Sequence, residues 1–284
     1  MKLVRFGAAG SERPGIIGSD GKRRDCSSHF SDWNHDFFHR GGLAELRELA
    51  VKADSLPIVA DDERWGAPVA RPYKILAIGL NYSDHAAEAG LAIPKEPILF
   101  QKATSSICGP YDPILIPPDS EKTDWEVELA VIISRDCRRL KSFADAAAVI
   151  AGYAVANDVS ERHWQAERGG QWTKGKSSDN FFPLGPWMST ADEISDPQNL
   201  DMVLDVNGRR CQTGNTNKMI FNIHHIVWYL SQFLTLEAGD VITTGTPPGV
   251  GLGMKPPTFL KVGDEVRLSI VGLGEQLSRC QVAE

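Results

Sequence analysis

The chain of 284 residues carries a formal net charge of -7 at pH 7 and is long enough for one large domain, or one domain with a small appendage, around a sizeable core. The acidic balance and the dispersal of the basic residues argue against a nucleic-acid or anionic-membrane surface, and no apolar run approaches the roughly 18 residues of a membrane span. Five cysteines (Cys26, Cys108, Cys137, Cys211 and Cys280), odd in number and without a C-x-x-C spacing, argue against a disulfide framework or a thiolate zinc site; with a start at Met1-Lys2-Leu3-Val4-Arg5 that lacks a signal peptide's apolar core, a cytoplasmic location is expected.

Residues 1–70 read as a small separate α+β unit ahead of a main domain at 71–284. Short strands are predicted at 3–6 and 15–17, Asp20-Gly21 is a hairpin signal, and Leu43, Leu46 and Leu49 mark a helix over 42–53. Pro68 and Pro72 punctuate the passage to the second unit. Strand patterns then dominate, at 75–80, 98–101, 114–116, 127–134, 153–157, 202–206, 241–244 and 266–271, with an Asn207-Gly208 turn signal. Two longer helical patterns cover 142–150 and 222–234, the second with Ile223, Ile226, Val227, Leu230 and Phe233 on one face. This is not a βαβ alternation, so a mixed, strand-rich α+β fold is expected rather than a doubly wound sheet or a TIM barrel.

Within this frame the segment Asn81-Tyr82-Ser83-Asp84-His85-Ala86-Ala87-Glu88-Ala89-Gly90 opens with capping residues and closes on a glycine stop, which predicts a short helix over 83–89. His85 and Glu88 then share a helical face, and a glutamate that fixes an imidazole's tautomer and raises its basicity suits a general base near neutral pH. An exposed pair with no function has the same spacing. The remaining histidines, His29, His35, His39, His163, His224 and His225, give no sign of a role.

In Asp124-Trp125-Glu126-Val127-Glu128-Leu129-Ala130-Val131 two carboxylates sit one residue apart inside an otherwise apolar strand. Alternation puts Glu126 and Glu128 on one face, with Cα atoms roughly 6.5 to 7 Å apart. Like charges held there either raise each other's pKa or need a cation between them, unless the strand is an edge with a solvated face. Asp158 follows the strand at 153–157 directly; it reads as a turn or cap residue, or as a third carboxylate of a hard-cation site for Mg²⁺ or Mn²⁺, with Ca²⁺ possible.

Gly170 to Ser177 satisfies the G-x-x-x-x-G-K-S phosphate-loop pattern literally, but no strand precedes it and Asp179-Asn180-Phe181-Phe182-Pro183 cannot continue as a helix, so that reading is rejected. Lys176, Arg162 and Gln165 remain as loop groups that could bind an acidic substrate or could simply be solvated. Thr243 to Gly251 reads as a strand end turning into a rigid loop, a turn or an anion-holding one.

Together these segments resemble the fumarylacetoacetate hydrolase family. The resemblance rests on Ile78-Gly79-Leu80-Asn81-Tyr82 with Asp84-His85, Phe100-Gln101-Lys102 leading to Gly109-Pro110, Glu126-Val127-Glu128, Asn157-Asp158-Val159-Ser160, Lys176-Ser177 and Thr244-Gly245-Thr246-Pro247, over 75–282. It implies a mixed β-roll, commonly a homodimer, with Mg²⁺ or Mn²⁺ on Glu126, Glu128 and Asp158. It also implies His85 and Glu88 as the catalytic dyad of the shorter members, Lys176 as the active-site lysine, and Tyr82, Arg162, Gln165 and Thr246 as substrate contacts. The long animal enzyme adds a fourth carboxylate and takes its dyad glutamate from elsewhere; this chain follows the short pattern.

The activity implied is hydrolysis of the C3–C4 bond of a 2,4-dioxo acid with release of pyruvate. The substrate class is acylpyruvate-like; the N-terminal unit, residues 121–124 and Lys255-Pro256-Pro257 look like members that act on 2,4-dioxo-3-deoxy sugar acids, others of which are labelled ureidoglycolate lyases. Oxaloacetate decarboxylation, dienoate hydration and 2-oxo acid isomerisation exploit the same enolate chemistry. A silent metal- or metabolite-binding protein would lack a ligand or a dyad residue, and none is missing; an interaction protein would need a basic, amphipathic or repetitive stretch in 1–70, and none is there.

Overall fold

The strand Val127–Ile133 is buried along its whole length, so both of its faces must be covered. In the computed structural model, which describes residues 1–84, 90 and 92–283, it pairs antiparallel with Ile150–Asn157 on one side and with Val241–Thr243 on the other. Beyond Val241–Thr243 come Ile75–Gly79, in parallel, and Ile98–Lys102. Beyond Ile150–Asn157 come Met188–Thr190, Lys2–Phe6, Arg13–Ile17 and Arg23–Asp25, which with Trp65–Gly66 complete a ten-stranded mixed sheet.

A second sheet runs Arg209–Asn215, Asp201–Val206, Glu265–Ile270, Gly274–Val282 and Ile114–Ile116. It covers one face of the first. Val127, Leu129 and Val131 pack there with Met202, Leu204, Leu268 and Ile270 and with the helix Ile223–Phe233. On the opposite face Ala130, Ile132, Ala154 and Ala156 pack against Trp33, Phe37, Phe38 and Leu46 from the first seventy residues. Small side chains on the sheet make room for the aromatic cluster. The α+β architecture without a doubly wound sheet is as the sequence predicts.

The expected break near residue 70 does not separate the sheet. Lys2–Phe6 is one of its inner strands, pairing Leu3 with Met188, and the aromatic cluster shares a core with Ile75 and Val241. The predicted helix over 142–150 is shorter, Phe143–Ala147, because Ile150 already belongs to the next strand. The helix over 42–53 stops at Ala50. The helix predicted over 83–89 falls largely outside the described residues.

Candidate active site

Antiparallel register brings the carboxylates together. Val127 faces Asn157 and Glu128 faces Ala156, so Glu126 and Asp158 lie opposite each other one step further on, and the Asp158 N–H donates to the Glu126 carbonyl at 2.9 Å. Alternation places Glu128 and Asp158 on the face that carries Ala130, Ala154 and Ala156. One oxygen from each of Glu126, Glu128 and Asp158 lies within 4.8 Å of the others, and all three residues are buried.

Three cations are packed among them. The Lys176 ammonium, at the end of the single helical turn Thr173–Lys176, lies 2.6 Å from Glu126 Oε2 and 2.7 Å from Asp158 Oδ2. Lys102 Nζ lies 2.5 Å from the other Asp158 oxygen and donates to the Val159 carbonyl at 3.1 Å. Arg162 reaches Glu126 Oε1 through Nη2 at 2.7 Å and Asp124 Oδ2 through Nε at 2.8 Å, and donates to the Gln165 amide oxygen at 3.0 Å. Glu128 has no salt bridge among the described residues; its Oε2 accepts the Gly245 N–H at 2.8 Å.

This asymmetry separates the two glutamates. Burial works against the Glu126 charge, but Lys176 and Arg162 outweigh it and hold the carboxyl down at about 2. Burial pushes Glu128 well above the usual carboxylate range, and the Asp158 and Glu126 charges push it further. Burial also opposes the Lys176 charge, yet Asp158 and Glu126 raise its pKa. For Lys102 burial wins over Asp158, with repulsion from Lys176 adding to it, and the pKa falls.

The donor set fits a hard divalent cation. It is three buried carboxylates with no thiolate or imidazole among the described groups, the oxygen-rich environment that Mg²⁺ and Mn²⁺ prefer. The perturbed Glu128, crowded by two other carboxylates and without a cation of its own, marks a local deficit of positive charge that such an ion would fill.

A cleft of about 910 Å³ opens onto Glu126, Glu128, Arg162, Gln165, Lys176 and Thr246. Its remaining wall is largely apolar, including Ile78, Ile98, Phe100, Trp172, Leu252 and Met254. Phe100 and Trp172 meet edge to face with centroids 5.2 Å apart. The Thr246 hydroxyl is already engaged, donating to the Val127 carbonyl at 2.9 Å and accepting from Gln212 at 2.8 Å.

Of the residues expected from sequence, Glu126, Glu128, Asp158, Arg162, Gln165, Lys176 and Thr246 therefore converge. Tyr82 does not line the cleft: it is wholly buried, with its hydroxyl donating to the Met202 sulfur at 3.2 Å, because it points into the core between the sheets. His85 and Glu88 lie outside the described residues. The phosphate-loop pattern is indeed not a phosphate loop, since a π-helical turn, His163–Glu167, precedes it and its lysine is committed to carboxylates. Two members were missed. Lys102 closes the apolar strand Ile98–Lys102, a place where a lysine needs a partner. Asp124 is wholly buried and accepts from Arg162 and from the N–H groups of Gly251 and Leu252; its acidity in the lead-in to a buried strand was the available signal.

The family model for the C-terminal domain of fumarylacetoacetate hydrolase matches residues 74–281. A protein of Burkholderia orbicola, provisionally named a hydrolase, is 55% identical over 285 residues, covering 100% of each chain. Among solved structures, fumarylacetoacetate hydrolase of Exiguobacterium antarcticum is 38% identical with a TM-score of 0.88 over 100% of both chains. Maleylpyruvate hydrolase of Sphingobium sp. SYK-6, in complex with manganese(II) and pyruvate, is 29% identical with a TM-score of 0.82 over 100% of both.

Proposed function

The chain belongs to the fumarylacetoacetate hydrolase family, and from its site we propose that it is a divalent-metal-dependent hydrolase that cleaves the C3–C4 bond of a 2,4-dioxo acid and releases pyruvate. The observation that carries this reading is the meeting of Glu126, Glu128 and Asp158 beside Lys176 and Arg162, with Glu126 and Glu128 lining the cleft. Glu126, Glu128 and Asp158 would hold Mg²⁺ or Mn²⁺; the bound ion would supply the Lewis acidity that lets pyruvate leave as an enolate. The manganese and pyruvate of the Sphingobium enzyme support the same assignment.

The protein's own groups have separable tasks. Arg162 and Lys176 offer cations to the substrate's carboxylate and to the oxyanion that develops at C4. Asp124 and Gln165 orient the guanidinium. The His85 imidazole, polarised by Glu88, takes a proton from water as its oxygen bonds to C4; the C3–C4 bond breaks, its electron pair stays on C3, and a proton delivered there completes pyruvate. Leu80 and Ala92 line the cleft.

The apolar wall favours an acylpyruvate with an apolar acyl group over a polyhydroxylated sugar acid, whose hydroxyls would lose water without replacement partners there. Pyruvate release from acylpyruvates of increasing apolar length, dioxo sugar acids and oxaloacetate, each with added Mg²⁺ or Mn²⁺, tests the reading. Hydrolysis that fails in excess chelator and returns with the ion supports it; undiminished turnover in chelator overturns it, and oxaloacetate decarboxylation alone transfers the site to the related lyase chemistry. A homodimer, which the resemblance implies, is checked by light scattering of the purified protein.

A further inference from the structure

A second group of potential ligands lies in a different place, where the first seventy residues meet the large sheet. His35 and His39 are one turn apart on the helix His35–His39, which Asn34 caps through its side chain. Their rings are nearly parallel, with centroids 5.1 Å apart. Each directs one nitrogen at Asp136: His35 Nε2 lies 3.3 Å from Oδ1 and His39 Nδ1 lies 3.3 Å from Oδ2. One ligand atom from each of the three falls within 4.8 Å of the others, and all three side chains reach solvent.

Two further contacts pre-set this geometry. The other His35 nitrogen, Nδ1, is paired with Asp36 Oδ1 at 3.2 Å; a carboxylate on the far nitrogen is the arrangement that orients metal-bound imidazoles and raises their basicity. Asp136 Oδ1 also accepts the Ala238 N–H at 2.9 Å, which fixes the carboxylate on the sheet side. His35 is additionally packed against Tyr73, ring centroids 5.0 Å apart.

We propose that His35, His39 and Asp136 form a surface site for a transition ion of the Zn²⁺ class, separate from the carboxylate centre. Two imidazoles and one carboxylate suit Zn²⁺, Cu²⁺ or Ni²⁺ and are poorly matched to Mg²⁺. Three protein ligands leave further positions to water. Because His35 and Asp136 are 101 residues apart in the chain, an ion here would fasten the N-terminal helix to the turn after Val127–Ile133. The chemistry differs from that of the cleft, so the proposal stands independently of the function proposed above.

The test is calorimetric titration of the full-length protein with Zn²⁺ in saturating Mg²⁺, which occupies the carboxylate centre with a hard ion, together with thermal melts. Wild type and Glu128→Gln should each bind one equivalent and melt at a higher temperature with Zn²⁺. His35→Ala and His39→Ala should lose binding and the thermal shift, and Asp36→Asn should weaken binding by on the order of tenfold or more. Since His39 is an exposed side chain, its variant should fold normally, and an unchanged melt without Zn²⁺ confirms that. Binding that survives His39→Ala, or a wild type that takes up no Zn²⁺ beside Mg²⁺, overturns the proposal.

Discussion

Asp124 holds Arg162 in place inside the protein: the guanidinium Nε lies 2.8 Å from Oδ2, and the same carboxylate accepts the N–H groups of Gly251 and Leu252. The pair thus ties the arginine that touches Glu126 to the loop that carries Leu252, one of the apolar cleft residues. Substituting Asp124→Asn keeps the volume but removes the charge opposite a buried cation. Loss of one partner of a buried pair costs about 3–5 kcal/mol, so the variant should unfold at lower denaturant concentration. Its kcat/KM should fall even where it is fully folded, and Arg162→Lys with Asp124 intact should lower it too, because an ammonium cannot span both Asp124 and Glu126 as the fork does.

Lys176 and the carboxylates can be told apart by ion binding. The ammonium occupies oxygens of Glu126 and Asp158, so it competes with any ion those residues bind. Lys176→Met should lower turnover by roughly a hundredfold or more, in the range seen when a transition-state charge partner is removed, while Mn²⁺ affinity is kept or increased. Glu128→Gln should lose Mn²⁺ affinity instead. Kinetics paired with Mn²⁺ titration by electron paramagnetic resonance distinguish the two outcomes. His85→Ala should resemble the lysine variant, sparing the ion and losing hydrolysis.

Gly245 holds a left-handed conformation, φ +95°, and a Cβ placed there would come within 2.8 Å of the Asn81 Cβ. Its N–H makes the one hydrogen bond that the Glu128 carboxylate receives among the described residues. Gly245→Ala should therefore destabilise the protein by about 1–3 kcal/mol and weaken ion binding together with stability, as read from denaturant melts with and without Mn²⁺.

The buried thiols weaken the protein at alkaline pH. Burial pushes Cys26 and Cys280 up to about 12 and Cys137 up to about 11, and raises Cys108 and Cys211 as well. The unfolded chain gives up these protons near the ordinary value of 9.0, while the native protein keeps them. Their contribution is full below pH 9 and is lost as the pH climbs from there toward the native values, so stability should decline between about pH 9 and 12. At pH 8 the native protein should react with iodoacetamide far more slowly than the unfolded chain. Fast labelling of Cys26 or Cys280 under native conditions would contradict the burial argument.

Strand alternation made the centre of the molecule readable. Val127 to Ile133 announced itself through apolar content, and the two glutamates stood out because they violated it. Register did the rest: nothing local reveals that Asp158 lies opposite Glu126, only the pairing of two strands. The ion pairs were hidden for the same reason, since Lys102 and Lys176 are 56 and 18 residues from Asp158 along the chain. Gly274–Val282 escaped detection because its inward side chains include Gln276 and Ser278. Gln276 is buried to donate to the carbonyls of Val155, Pro183 and Gly185, so polar residues occupy the side where apolar ones would have shown the period of two. Prolines and a change of pattern mark the sequence near residue 70, and neither reports that a strand near the start of the chain joins a sheet formed mostly by later residues.

That last feature bears on how this architecture can be dissected. Lys2–Phe6 hydrogen-bonds to Met188–Thr190, whose other neighbour is Ile150–Asn157, the strand that leads into Asp158. A truncated chain beginning at residue 71 would bare the backbone donors and acceptors of Met188–Thr190 and uncover Ala154 and Ala156, inviting edge-to-edge aggregation. A leading segment grafted from a relative would have to bring a strand of matching register and an aromatic cluster of matching shape.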